Sequence, residues 1–165
     1  KIETYNQSEW VPLDGNFQDN SDEKTQGYSV CVQSAKLITY EDFIKRYKPK
    51  EDPVKPENRP KHLIDLTIGV KNDHSTGYLS TIQTYLQYQN DILMMDPDLW
   101  GIMEPKCKGA LSLKLKPDSQ ASIHIPYPPN LQEEKEQGNY LRNQDYYLVV
   151  SEYPIKKMIH VNVEK

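Results

Sequence analysis

In HLIDLTIGVK, residues 62–71, the side chains Ile64, Leu66, Ile68 and Val70 share one parity, and Asp65, Thr67, Gly69 and Lys71 share the other. A period of two is the mark of a half-buried strand, because successive side chains of an extended chain point to opposite faces. A helix would scatter the same four apolar residues around its circumference. The pattern recurs. In GYSVCVQSAKL, Tyr28, Val30 and Val32 alternate with Ser29, Cys31 and Gln33, and in YLSTIQTYLQYQ the residues Ile82, Leu86 and Tyr88 share a parity, with a helix over 78–89 as the competing reading. ALSLKLKPDSQASIHIPY reads as a hairpin, with Leu111, Leu113 and Leu115 inward, a turn near PDSQ, and Ile123, Ile125 and Tyr127 inward on the return. DYYLVVSEYP and KKMIHVNV close the chain as two strands, with Ile159, Val161 and Val163 facing in.

One segment keeps a different period. In TYEDFIKRY, Tyr40, Phe43, Ile44 and Tyr47 fall at i, i+3, i+4 and i+7, which predicts a short amphipathic helix with Thr39 as N-cap and Glu41 and Asp42 in its first turn. KPKEDPVKPENRPK carries four prolines, which donate no ladder hydrogen bonds and break helix interiors, so it reads as a solvated connection. PYPPNLQEEKEQGNYLRNQ reads as a second polar loop, and NDILMMDPDLWGIMEPKCKG as an excursion whose Met94, Met95, Trp100 and Met103 fold over an open end of the core. Residues 1–26 are polar with few apolar anchors and read as an arm or tether, leaving residues 27–165 as the folded domain. Roughly seven short strands with one helix predict a mostly β protein, an antiparallel β-sandwich.

Size and charge bound the function. A chain of 165 residues buries roughly 70% of its unfolded surface as one domain, and twelve tyrosines argue against disorder in spite of 27% charged residues. The formal charge of -4, with basic residues scattered rather than gathered in a stripe, weighs against nucleic acid as a partner. No segment approaches the ~20 apolar residues of a membrane span, and the opening KIETYNQSEW has no apolar signal-peptide core.

The densest set of candidate ligands is HLIDLTIGVKNDHSTG, with two histidines and two aspartates. Asp65 belongs to the outward parity of a strand, and Asn72, Asp73 and Gly77 are turn residues. His62 and His74 lie at opposite ends of that strand, ~26 Å or more apart when extended, so they cannot share a metal. DNSDE at 19–23 and DPD at 96–98 lack the spacing of a calcium-binding helix–loop–helix, and no metal or other cofactor is expected. Phosphate-cradling glycine loops and a GxSxG elbow are absent, and His124 and His160 occupy outward strand positions, which suits solvated imidazoles better than general bases. Cys31 and Cys107, the only cysteines, are two free thiols or one disulfide. The remaining candidates for recognition are aromatic: Trp100, Tyr127, Tyr140, Tyr146 and Tyr153 lie in or beside loops, where rings stack on sugars or anchor a partner.

Taken together, GYSVCVQSAKL, TYEDFIKRY, HLIDLTIGVKND, LKPDSQASIHIPY and YYLVVSEYPIKKMIHVNV resemble the immunoglobulin-like, telokin-like modules of Gram-positive bacterial lipoproteins and secreted proteins, domains of unknown function. The resemblance covers about residues 27–163. It implies an extracytoplasmic domain, secreted or held at the cell surface by a lipidated cysteine upstream of Lys1, and it carries over no catalytic residue. The expected function is non-enzymatic protein–protein or surface interaction at the cell envelope, with carbohydrate binding through loop aromatics as the alternative.

Overall fold

β3 (Tyr28–Thr39) and β4 (His62–Asn72) pair antiparallel along their whole lengths, from Tyr28 opposite Asn72 to Thr39 opposite His62. A bulge between Val32 and Ser34 inserts one extra residue on β3. Because one extra residue reverses parity, the buried set passes from Tyr28, Val30 and Val32 to Ala35 beyond the bulge. The computed structural model describes residues 1–14, 25–80, 84–107 and 112–165.

The remaining strands are β1 (Ile2–Tyr5), β2 (Val11–Pro12), β5 (Leu79–Ser80), β6 (Tyr85–Tyr88), β7 (Asp91–Met94) and β8 (Ser112–Leu113), followed by β9 (Ser119–Tyr127), β10 (Tyr146–Ser151), β11 (Lys156–Val161) and β12 (Val163–Glu164). One large sheet runs β1-β11-β10-β6-β7, a second runs β12-β3-β4-β9 with β2 also on β3, and β5 pairs β8 in a separate two-stranded sheet. Residues of both large sheets enter a single apolar cluster, including Val30, Leu66 and Ile125 from one and Leu86, Leu148 and Ile159 from the other. The chain is therefore mostly β, with two stacked sheets. The sheets are mixed rather than purely antiparallel, since β1 runs parallel to β11 and β12 parallel to β3.

Two sequence expectations change here. Residues 1–14 are not a tether: β1 and β2 enter the two sheets, Val11 and Leu13 are buried, and the buried Lys157 ammonium reaches the Pro12 carbonyl (2.6 Å) and Asp14 (3.1 Å). Residues 15–24 of the expected arm, including DNSDE, lie outside the described residues, as do Ile82 and Leu111. The expected hairpin of residues 110–127 does not pair with itself, because β8 pairs β5 while β9 pairs β4 over nine residues. Alternation specifies which face is greasy, not which neighbour a strand joins.

Among the described residues there are three α-helices where the sequence suggested one: α1 (Tyr40–Tyr47), α2 (Pro97–Met103) and α3 (Leu131–Gln137). α1 starts as expected, with Thr39 Oγ1 accepting from Asp42 N (3.0 Å). Asp96 caps α2 through Leu99 N (3.0 Å) with Pro97 in its first turn, and Asn130 caps α3 through Glu133 N (3.1 Å). These are ordinary helix-start signals, and the Asp96 carboxylate, read as part of a solvated loop, is used as a cap. Within α3, buried Glu134 accepts from Lys61 N (2.6 Å) and His62 N (3.1 Å), which docks that helix on the start of β4.

α1 and α2 cover the face of β3 and β4 turned away from the main core. There Ile38, Tyr40, Phe43, Leu63, Leu99 and Met103 form a second apolar cluster. Trp100, next in sequence to Leu99, belongs to the main cluster, so α2 bridges both cores beside β9. Its first residues join that strand through Asp96 N and Pro126 O (3.2 Å).

Candidate functional site

Beneath α1 sits a charged cluster centred on Asp65. Parity places Asp65 away from the main core, as expected, but helix cover leaves it only 2% exposed. Its carboxylate accepts hydrogen bonds from the Tyr47 hydroxyl (2.5 Å), Arg46 (3.2 Å) and His124 Nδ1 (3.0 Å). His124 also meets Thr67 Oγ1 (3.2 Å), and its backbone N–H donates to Glu104 (2.7 Å) at the end of α2. One carboxylate thus ties α1 to β4 and β9, and Glu104 ties in α2. His124, read as a solvated imidazole, is half-buried and paired.

The charges of the pair respond to each other. Burial works to raise the Asp65 pKa, but hydrogen bonds from His124 and Tyr47 and the charges of His124 and Arg46 outweigh it and hold the carboxyl below its ordinary 3.8. The hydrogen bond to Asp65 raises His124 above its ordinary 6.5, against an opposing effect of burial. A depressed carboxyl contributes stability above 3.8 that is lost as pH falls through its folded value, and a raised imidazole contributes stability below 6.5 that is lost as pH rises through its folded value. The pair's contribution is therefore whole between those two limits. Thermal midpoints measured across pH are expected to decline above 6.5 in the wild type. His124→Gln should flatten that decline, and an identical alkaline slope in both proteins would contradict the assignment.

The opposite side of the molecule is different. On the outer face of the β1-β11-β10-β6-β7 sheet, register aligns Thr4, Met158, Val149, Tyr85 and Met94 in one row, and His160, Tyr147, Gln87 and Ile92 in the next. All three α-helices make their main contacts elsewhere: α1 with β3, α2 with β9 and α3 with the turn at Tyr140–Asn143. A concavity of about 470 Å³ opens on this face. Thr4, Gln87, Tyr147 and Met158 line it from the sheet, and Gln89, Asn143, Gln144 and Asp145 line it from adjoining turns. Asp145 accepts from His160 Nε2 (2.6 Å), whose ring packs on Tyr147 with centroids 5.2 Å apart. Gln87 Oε1 accepts from Lys156 Nζ (2.8 Å), and Gln144 Nε2 donates to the Tyr140 carbonyl (3.1 Å).

A family model described as "Domain of unknown function (DUF5028)" matches residues 2–157. The chain belongs to that family. Searches of curated proteins and of solved structures gave no match. The DUF5028 match begins at Ile2, so it takes in β1 and β2, in keeping with their place in the two sheets.

The aromatic candidates separate sharply in this DUF5028 domain. Trp100, Tyr127, Tyr140 and Tyr146 are buried, and only Tyr153 is open to solvent, at 48%. The Tyr127 hydroxyl meets Thr84 (3.0 Å), Tyr140 accepts from Asn130 N (2.9 Å) and Tyr146 donates to the Leu141 carbonyl (2.9 Å). The three tyrosine rings, with hydroxyls on protein partners, and the fully buried Trp100 ring are core residues, and none of the four can stack on a ligand as it stands. Cys31 and Cys107 are free thiols, Cys31 buried on β3 and Cys107 half-buried beyond α2. Burial raises both thiols above their ordinary value, which disfavours the reactive thiolate. Cys31 lies beside Gly69, where an added Cβ would stand 3.1 Å from its sulfur and 2.9 Å from the Trp10 ring. His62 packs by Glu134 at one end of β4 and His74 is exposed beyond the other, so they are apart. Among the described residues no group of three or more His, Cys, Asp or Glu is placed to hold a metal ion. No described helix is long and apolar enough to cross a membrane.

Sequence reasoning missed Tyr147, Gln87 and the turn residues Asn143–Asp145. One signal was available: with Tyr146 and Leu148 inward, strand parity sends Tyr147 outward. The carboxamides carried none, because isolated Gln and Asn residues look like any polar surface until the sheet brings them together.

Proposed function

We propose that this chain is a non-enzymatic, extracytoplasmic interaction domain, an immunoglobulin-like sandwich of the Gram-positive lipoprotein type that docks a protein of the cell envelope through its uncovered sheet face. The carrying observation is where large apolar side chains are exposed. Ile2, Ile92 and Met94 are 62%, 52% and 48% exposed, and all three lie on the outer face of one sheet at its two margins. Isolated exposed apolar residues are ordinary, but several on one sheet face away from the described helices mark a contact surface. β7, which carries Ile92 and Met94, is also the last strand of its sheet, so its outer edge offers backbone groups to an extended partner segment. The extracytoplasmic placement rests on the resemblance of the strand and helix segments to surface lipoprotein modules.

Affinity capture from separated envelope and cytosolic fractions tests this reading. The wild type is expected to retain a protein from the envelope fraction, and the Ile92→Asp/Met94→Asp variant is expected to lose it at an unchanged thermal midpoint. Equal recovery by the two proteins, or a partner found only in cytosol, would overturn it.

A further inference from the structure

We propose that the concavity on the outer sheet face is a subsite for a neutral carbohydrate. This rests on the same face being the binding surface, and it names a ligand chemistry that the apolar margins do not. Of the eight residues that line the concavity, four are carboxamides, one is a threonine and none is Lys or Arg. Anions are recognised by guanidinium and ammonium groups; here the adjoining Lys156 ammonium is engaged by the Gln87 oxygen (2.8 Å), and the one charged lining residue is the carboxylate of Asp145. An apolar ligand would find only the Tyr147 ring and Met158. A sugar presents hydroxyls that both donate and accept around an apolar C–H face, which matches carboxamides beside one aromatic ring.

The amides are also aimed. Lys156 occupies the Gln87 oxygen, which leaves that side chain's amino group for a ligand oxygen. The Tyr140 carbonyl occupies the Gln144 amino group, which leaves its oxygen for a ligand hydroxyl. His160 takes one Asp145 oxygen and leaves the second. Donor and acceptor directions are thus set before a ligand arrives, the condition under which few polar contacts give specificity. The volume of about 470 Å³ falls within the range of small-molecule pockets.

The test titrates the whole chain with neutral tetrasaccharides (cello-, malto- and mannotetraose and tetra-N-acetylchitotetraose) by calorimetry and amide NMR. Saturable binding of at least one is expected, with shifts centred on Gln87, Gln144 and Tyr147. Gln87→Ala, Gln144→Ala and Tyr147→Ala should each weaken it roughly tenfold, the effect of losing one hydrogen bond or stacking contact. Gln87→Glu, of equal size, should weaken it as well, which guards against a folding defect in the truncations. Lys45→Ala, on the exposed side of α1 and away from this sheet, should bind the sugar as the wild type does. Absence of saturable binding to every tetrasaccharide, or binding that survives all four pocket substitutions, overturns the subsite. If protein capture still depends on Ile92 and Met94 in that case, the docking face stands and only the carbohydrate assignment falls.

Discussion

Trp100→Ala is expected to destabilise the fold by about 3–5 kcal/mol, the usual cost of truncating a fully buried large ring, and to lower the thermal midpoint by on the order of 10 °C in a domain of this size. Trp100 is 0% exposed and packs in the core between the sheets, while its neighbour Leu99 packs in the second core under the helices. Removing the indole therefore leaves a cavity and releases α2 from the main core, beside β9. The indole Nε1 has no hydrogen-bond partner among the described residues, and an unpaired buried donor itself costs free energy. Trp100→Phe, which removes that donor and keeps most of the apolar bulk, should lose much less. Chemical denaturation of the three proteins checks the order. A Trp100→Ala protein with wild-type stability and impaired binding would show instead that the ring is a ligand platform.

Asp65→Ala is expected to cost about 1–3 kcal/mol, because it leaves the Tyr47 hydroxyl without its acceptor and unties α1 from β4, while Arg46 and His124, 42% and 38% exposed, turn to water. The Tyr47 hydroxyl, the Arg46 guanidinium and His124 Nδ1 all converge on this one carboxylate. Burial, then the hydrogen bond to Asp65, raises the Tyr47 pKa far above its ordinary value, so the phenol stays a proton donor that needs an acceptor. Asp65→Asn keeps an acceptor oxygen but loses the charge, and its cost should be intermediate. Hydrogen exchange adds a local readout: amides of α1 should lose protection in Asp65→Ala ahead of those in β10 and β11. Uniform loss throughout the chain, or none, would mean that Asp65 does not hold α1 down.

Much of this was legible beforehand, for a physical reason particular to each element. Ile64, Leu66, Ile68 and Val70 of β4 and Phe43 of α1 lie where a period of two and a period of 3.6 put them, because burying apolar side chains is the dominant favourable term in folding. The Thr39 cap was readable because it satisfies a helix end within three residues of chain. Asp96-Pro97 and Asn130 were equally local signals, and weighing them as caps rather than as loop chemistry would have located α2 and α3.

Pairing and cover were not legible. Alternation in residues 111–127 is the same whether β8 lies against β9 or against β5, and only the sum of contacts over the whole core selects the second. Asp65 alternates like any outward strand residue, yet α1 comes over it and turns a solvent position into a buried ion cluster. Trp100 and Tyr146 look like loop aromatics in sequence, and two stacked sheets make them core. The chain alone determined which side chains prefer burial and where helices begin, since those depend on neighbours a few residues away. Tertiary structure decided which polar groups meet, Asp65 with His124 under the helices and Gln87 with Tyr147 on the bare sheet, because those encounters join residues some sixty apart and depend on every strand between them finding its place.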